Sequence, residues 1–401
     1  MRRARASNRL RDMVPYAGVF AHGMGQSIVM AILPSLGREI GLQEVAIGAI
    51  ISLSSLVFFI SSRMWGRLSD RSGRKQVILI GLWGYTIGTL VFAVLFGLGM
   101  AGVLGGTLLY GLIVGTRMIQ STMMSGTAPG TAAYIADITT PETRAAGMGR
   151  LSASSNVGSI LGPAVAGTLA ALSLLLPLVF AALATAAAAL LVQRLLNDRA
   201  ALPPMAHHSG KLHMRDRRIL PYLALSLAVF TGFSIVQQTL AFRIQDTLVL
   251  DTRATAQTYG YTMMVSATAS LFAQVALVQQ LKFAPMILLR IGLPLLLCAF
   301  AGLIWSATLP AFFIAMAMMG LGMGLCGPGF SAATSLAVSA REQGAAAGIV
   351  TAIPALGFIL GPIAGTALYQ LDPHYPYVLT TLIMIPTSVL VFRVHQHLHT
   401  D

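Results

Sequence analysis

Eight polar side chains stand in stretches that are otherwise apolar, and their types set the chemistry open to the chain. His22 and Gln26 lie four residues apart, and Arg117 and Gln120 three apart. At about 3.6 residues per turn, each pair shares one helix face. Asn156 stands alone in the first half, while Gln237, Gln238 and Gln274 bring polar groups from the second. Such groups donate and accept hydrogen bonds, and a guanidinium matches the two oxygens of a carboxylate. They can hold a small molecule but cannot break a bond in it. Any single Gln or Asn among them is more often a tie between two membrane helices than a ligand contact. His22 and Arg117 cost more to bury and point to a cavity.

Covalent chemistry needs a nucleophile with a base, or a metal set, at the same depth. Cys298 and Cys326 lie in apolar segments with no histidine near in sequence, and His22 is the single histidine at depth. All 13 acidic residues fall in loops or at helix ends. The histidine groups His207, His208, His213 and His395, His397, His399 lack cysteine or acidic companions and read as compositional. The sequence therefore predicts no catalytic residues, no metal site and no cofactor.

The elements that must position these groups follow from composition. Hydrophobic residues make up 56% of the 401 and charged residues 10%, against about 45–50% and about 25% in soluble domains. Twelve apolar runs can be counted, from Met13–Leu36 to Tyr375–Phe392, with Val103–Ile135 and Pro310–Val338 too long for one perpendicular span. In hydrocarbon each must be a helix, and no period-two alternation suggests a barrel. The basic start followed by Met13–Leu36 is too long for a signal peptide and reads as a retained first span.

The net charge of +13 is orienting charge and not a nucleic-acid surface. If the N-terminus is cytoplasmic, 22 of the 26 Lys and Arg fall on that side, three (Arg38, Arg243, Arg253) fall outside, and Arg117 is alone at depth. Both termini are expected inside. The polar stretch 193–218, with Pro203-Pro204, reads as a cytoplasmic linker between six-span halves 1–192 and 219–401. An internal repeat supports the division: Gly158-Ser-Ile-Leu-Gly162-Pro163 and Gly357-Phe-Ile-Leu-Gly361-Pro362 stand 199 residues apart, and so do Pro129-Gly130 and Pro328-Gly329. Two such halves suit a central site open alternately to each side.

After the second span comes Gly66-Arg67-Leu68-Ser69-Asp70-Arg71-Ser72-Gly73-Arg74-Lys75, a tight loop two glycines wide with one carboxylate among its basic groups. It resembles the G-x-L-x-D-R-x-G-R-K signature of the major facilitator superfamily and matches it at every signature position. Gly158, Gly162, Pro163 and Gly167 resemble the antiporter motif of that family's drug:proton antiporter branch, with Ala166 where the branch pairs two glycines. Arg117 and Gln120 resemble its R-x-x-Q-G motif, with Ser121 replacing the glycine. The second copy of the loop signature, Gln280 to Pro285, has lost its aspartate and both glycines.

The resemblance implies an all-α fold of twelve transmembrane helices in two pseudo-symmetric six-helix bundles, and export by proton-coupled alternating access across the inner (cytoplasmic) membrane. It implies gating and coupling roles for Gly66, Asp70, Arg71, Gly73, Arg74 and Asp137, with Asp70 facing the start of the eleventh span near Gly344 and Arg74 pairing with Asp137. Those contacts would join the halves only in the outward-facing state. Gly158, Gly162, Pro163, Gly357, Gly361 and Pro362 are expected to pack where the halves meet and prevent leak.

His22 and Asp137 are the candidates for proton coupling, since no acid lies at depth. For the same reason Arg117 favours an anionic or zwitterionic metabolite, or a siderophore-like compound, over a lipophilic cation. The alternatives are a multidrug pump for lipophilic compounds, an uncoupled or uptake permease and, more remotely, a membrane sensor or embedded enzyme. The expected partners are a small-molecule substrate, protons and the lipid bilayer; the chain is expected to act as a monomer.

Overall fold

The computed structural model describes residues 2–196, 212–280, 283–339 and 342–394. Thirteen helices occupy them: α1 (Arg2–Glu39), α2 (Glu44–Ser72), α3 (Arg74–Met100), α4 (Gly106–Met124), α5 (Thr127–Ile138), α6 (Pro141–Ala170) and α7 (Leu176–Leu195), then α8 (Leu220–Leu248), α9 (Thr252–Phe272), α10 (Pro285–Trp305), α11 (Leu309–Leu336), α12 (Gln343–Leu371) and α13 (Tyr375–Val394). The α9 helix continues as π-helical turns over Ala273–Gln280. Ten helices are by themselves long and apolar enough to cross a membrane. With α4 and α5 as one interrupted span and α6 as another, the total is the twelve that the apolar runs predict.

The interruption has one distant and two local contributors. The Thr122 carbonyl accepts hydrogen bonds from the Trp65 indole and from Ser125 Oγ, the latter at 2.9 Å. The Gly126 N–H turns instead to Met123 O at 3.3 Å, and Pro129 has no N–H to offer the carbonyl four residues back. The α-helical ladder stops and restarts at Thr127. The run Val103–Ile135 is thus two helices and not one long span.

The contact pattern divides the chain into two units. The first holds residues up to Leu42, Leu53–Met205 and Thr252–Gly260; the second holds Gln43–Ser52, Ala206–Asp251 and everything from Tyr261 on. Two helices are thereby shared, because the first turns of α2 belong to the second unit and those of α9 to the first. In the first unit α1 lies along α6 and α7, and α3 along α4 and α7. In the second, α8 lies along α12, and α10 along α11 and α13.

The α1·α6 and α8·α12 pairs are built alike. A Cβ on Gly158 would meet the backbone of Phe20 and Met24, and one on Gly162 would meet Met24 O at 2.7 Å and Ser27 Oγ. On α12, a Cβ on Gly357 would meet Phe230 C at 2.7 Å, and one on Gly361 would meet Thr231 O at 3.0 Å and Ser234 Oγ. The serines repeat too: Ser27 Oγ donates to Met24 O at 3.1 Å and Ser234 Oγ to Thr231 O at 2.9 Å. Small residues bring backbones close where apolar burial gives no drive between helices. These glycines pack inside their own units, Gly158 and Gly162 on α1, Gly357 and Gly361 on α8.

Prolines inside the helices leave carbonyls and neighbouring N–H groups to be satisfied from outside the ladder. Next to Pro362, the Ile363 N–H donates to Ser52 Oγ at 3.1 Å, within the second unit. Of the polar stretch 193–218, residues 197–211 lie outside the described residues, His207 and His208 with them, as do His395, His397 and His399.

Candidate substrate site and gating elements

The polar groups of the first unit converge from three helices. Arg117 on α4 donates from Nη1 to Gln120 Oε1 at 2.6 Å and from Nη2 to Gln26 Oε1 on α1 at 3.2 Å. Gln120 Nε2 in turn donates to the Tyr85 carbonyl at 3.0 Å and to Thr89 Oγ1 at 2.7 Å, both on α3. The Arg117 guanidinium carbon lies 6.0 Å from the centre of the Phe92 ring, close enough for a cation–π contact. His22 meets the edge of Tyr85 with ring centres 5.6 Å apart.

Arg117 and Gln120 are each only 1% exposed and His22 is 8% exposed, while Gln26 is half-buried. Gln26 is the most exposed member of the cluster. Within it, His22 Nδ1, Tyr85 Oη, Arg117 Nε and Ser121 Oγ find no partner among the described residues. The guanidinium is met by two neutral amides and a ring face, with no carboxylate in the group. A buried polar atom without a partner costs free energy, and three such atoms around a cation that itself has an unpartnered Nε make a place where a polar ligand would be stabilised.

The sequence brings out the Arg117–Gln120 pair through its spacing. It does not bring out Tyr85, Thr89 and Phe92, which hold that pair from α3. The available clue was Gly84 and Gly88 flanking Tyr85: a Cβ on Gly88 would stand 2.6 Å from Gln120 Cγ, so α4 comes this close only because the residue is glycine.

Other predicted residues fall elsewhere. Asn156 is exposed on α6, apart from the cluster. Gln238 is buried in α8 with Nε2 unpartnered among the described residues, and Gln237 beside it is half-buried. Gln274 donates to Ser270 Oγ at 3.2 Å, one turn back in its own helix.

The charged signature is mostly helix. Gly66, with open space around it, lies within α2, and the chain breaks only at Gly73. There φ is +94°, a conformation that a side chain would strain. Asp70 and Arg71 lie in the last turn of α2; the Asp70 side chain is outside what the structure describes. Arg74, the first residue of α3, donates from Nε to Asp137 Oδ2 at 3.0 Å and from Nη1 to Ser69 Oγ at 3.1 Å. The pair is largely shielded, at 10% and 20% side-chain exposure. It fastens the start of α3 to the end of α5.

Pro163 and Gly167 make the closest approach to α9 in the first unit: a Cβ on Gly260 would stand 2.6 Å from Gly167 Cα and 2.8 Å from Pro163 O. In the second unit a Cβ on Gly48 would meet Pro362 O at 2.7 Å and Thr366 Oγ1. The prolines of both repeat copies thus lie against glycines of the two shared helices.

A polytopic bundle of apolar helices, with cationic and amide groups buried at mid-span, is the build of a membrane carrier and not of an enzyme. The chain belongs to the Major Facilitator Superfamily, whose sequence profile matches residues 16–309 and 281–400. It is 26% identical over 370 residues to multidrug resistance protein 1 of Bacillus subtilis (strain 168), covering 91% of each chain. To the class G tetracycline resistance protein of Vibrio anguillarum it is 30% identical over 372 residues, covering 86% of this chain and 87% of the relative. Among solved structures, a bacterial homolog of the human lysosomal transporter Spinster, inward-facing and occupied, superposes with a TM-score of 0.73 at 14% identity over 96% of both chains. The protein is a multi-pass membrane transporter, and its drug-resistance relatives agree with the drug:proton antiporter branch.

Proposed function

We propose that this transporter exports small drug-like molecules in exchange for protons, by alternating access, as a monomer with both termini in the cytoplasm. The observation that carries the reading is its likeness, over nine-tenths of its length, to a protein named for multidrug resistance. The halves 1–192 and 219–401, joined by 193–218, would move against each other about a site that includes Arg117, Gln120, Gln26 and His22. Gln237, Gln238 and Gln274 would contribute from the second half, and Asn156 only if α6 turns it inward during the cycle.

Coupling is assigned to His22 and Asp137. His22 is buried beside the cluster with Nδ1 unpartnered among the described residues, and an imidazole nitrogen there can take up and release a proton. Neutralising Asp137 would weaken its bond to Arg74, which would loosen α3 from α5. The orientation follows from the 22 basic residues on one side.

A second reading concerns charge. Arg117 has no carboxylate partner among the described residues, which favours an anionic or zwitterionic substrate able to supply one. The test is competition binding with anionic, zwitterionic and cationic compounds on wild type, Arg117→Lys and His22→Gln. Loss of anion binding in Arg117→Lys alone supports the second reading. Tight binding of lipophilic cations that ignores Arg117 leaves only the general drug-export reading. Full pH-driven transport by His22→Gln would shift coupling to Asp137.

A further inference from the structure

One face of α2 carries an arrangement that the gating role of Arg71 and the orienting charge of Arg63, Arg67 and Arg71 do not by themselves explain. Ile60, Arg63, Met64, Arg67, Leu68 and Arg71 line a cavity of about 600 Å³ against this helix. Their spacing of three and four residues places them on a single face. All six are exposed, arginines and apolar side chains alternating along the helix. Among the described residues none of the three arginines has an ion-pair partner; the Arg63 guanidinium carbon lies 5.5 Å from the centre of the Phe59 ring. Counting Asp70, the segment Ile60–Arg71 carries three positive charges and one negative, a net +2.

We infer that this face binds an anionic phospholipid, phosphate on the arginines and acyl chain along Ile60, Met64 and Leu68. From Arg63 to Arg71 the helix rises about 12 Å, more than the roughly 5–8 Å of headgroup region in one leaflet. Arg71 and Arg67 therefore lie at phosphate level while Arg63 reaches toward the hydrocarbon. An arginine there is tolerated by drawing a phosphate to it and by lying on a ring such as Phe59. Orientation alone needs neither the cavity nor the apolar row. A free phosphate would use the guanidinium groups but leave Ile60, Met64 and Leu68 without a partner.

The experiment titrates the purified full-length chain in detergent with phosphatidylglycerol and phosphatidylcholine, reading lipid adducts by native mass spectrometry. Each arginine near an anionic headgroup strengthens binding about fivefold, so wild type should prefer phosphatidylglycerol by about tenfold or more. Arg63→Gln/Arg67→Gln should lose most of that preference and keep at most the roughly fivefold that Arg71 supplies. Arg393→Gln, which removes an exposed arginine on α13, should keep the preference. A second arm uses wild type only: at about 1 M salt, where screening acts within about 3 Å, the preference should collapse. Equal binding of both lipids by wild type, an unchanged preference in the double variant or at high salt, or displacement of phosphatidylglycerol by inorganic phosphate would each overturn the inference.

Discussion

Replacing Arg117 with methionine separates the two roles a buried arginine can have. The substitution keeps the length and apolar stem but removes two hydrogen bonds, at 2.6 Å to Gln120 and 3.2 Å to Gln26. A side-chain hydrogen bond at membrane depth contributes about 0.6–2 kcal/mol, so losing one within α4 and one to α1 costs about 1–4 kcal/mol. Against it stands relief of the cost of a charge at depth, about 2.5–3.5 kcal/mol on insertion scales. The two nearly offset each other, leaving a net change within about 2.5 kcal/mol and a melting shift below about 10 °C. Transport should nevertheless fall about tenfold or more, since one lost charge-assisted bond to substrate is about 1.5 kcal/mol or more. Arg117→Lys keeps the charge without the planar fork and should fall between. The assays are thermal unfolding of purified protein and initial flux in proteoliposomes. An Arg117→Met protein that transports at the wild-type rate would refute the reasoning and leave Arg117 as a packing residue.

Gly88→Ala should destabilise the first unit by about 1–3 kcal/mol, an overpacking cost, because its Cβ would stand 2.6 to 3.0 Å from three carbons of Gln120; adding Gln120→Gly, which removes all three carbons where alanine would keep the Cβ at 2.7 Å, should recover part of the melting temperature but not transport. Asp70→Asn should leave substrate affinity within about threefold, a change below about 0.7 kcal/mol, yet lower transport strongly, and parallel loss of both would count against a gating role. At the end of the linker Arg218 bridges two carboxylates, at 2.8 Å to Asp216 and 2.9 Å to Glu342. Its hydrogen bonds hold both well below the usual carboxylate range, at about 2; Ser339 assists at Glu342. Depressed folded values mean stabilisation that is complete above the unfolded values near 4 and lost as pH falls through about 2. Arg218→Gln should therefore lower the melting temperature at neutral pH, with the difference from wild type shrinking as the medium is acidified toward pH 2.

The apolar runs made the spans legible because hydrocarbon permits no alternative to a helix. Val103–Ile135 read as a single run because its break depends on Trp65, 57 residues from the carbonyl it captures. The same limit applies at the site. Arg117 and Gln120 show their pairing through spacing on one helix, whereas Tyr85, Thr89 and Gln26 join them only once three helices are packed. Gln274 looked like a ligand because it is polar in an apolar run; its partner Ser270 is a helical turn away in the same helix. Gly66 looked like part of a turn, but glycine in a long apolar helix is tolerated where neighbouring residues continue the ladder. Of the signature's two glycines only Gly73, at positive φ, requires its residue type for backbone reasons.

Proton-driven export is tested most directly by flux into liposomes holding the purified protein with its cytoplasmic face outward. With the lumen made acidic, the account predicts uptake of a drug-like fluorescent substrate against its gradient, with protons leaving the lumen in step and a protonophore abolishing both. Accumulation that is indifferent to the pH gradient, or flux only down the substrate's own gradient, would contradict it.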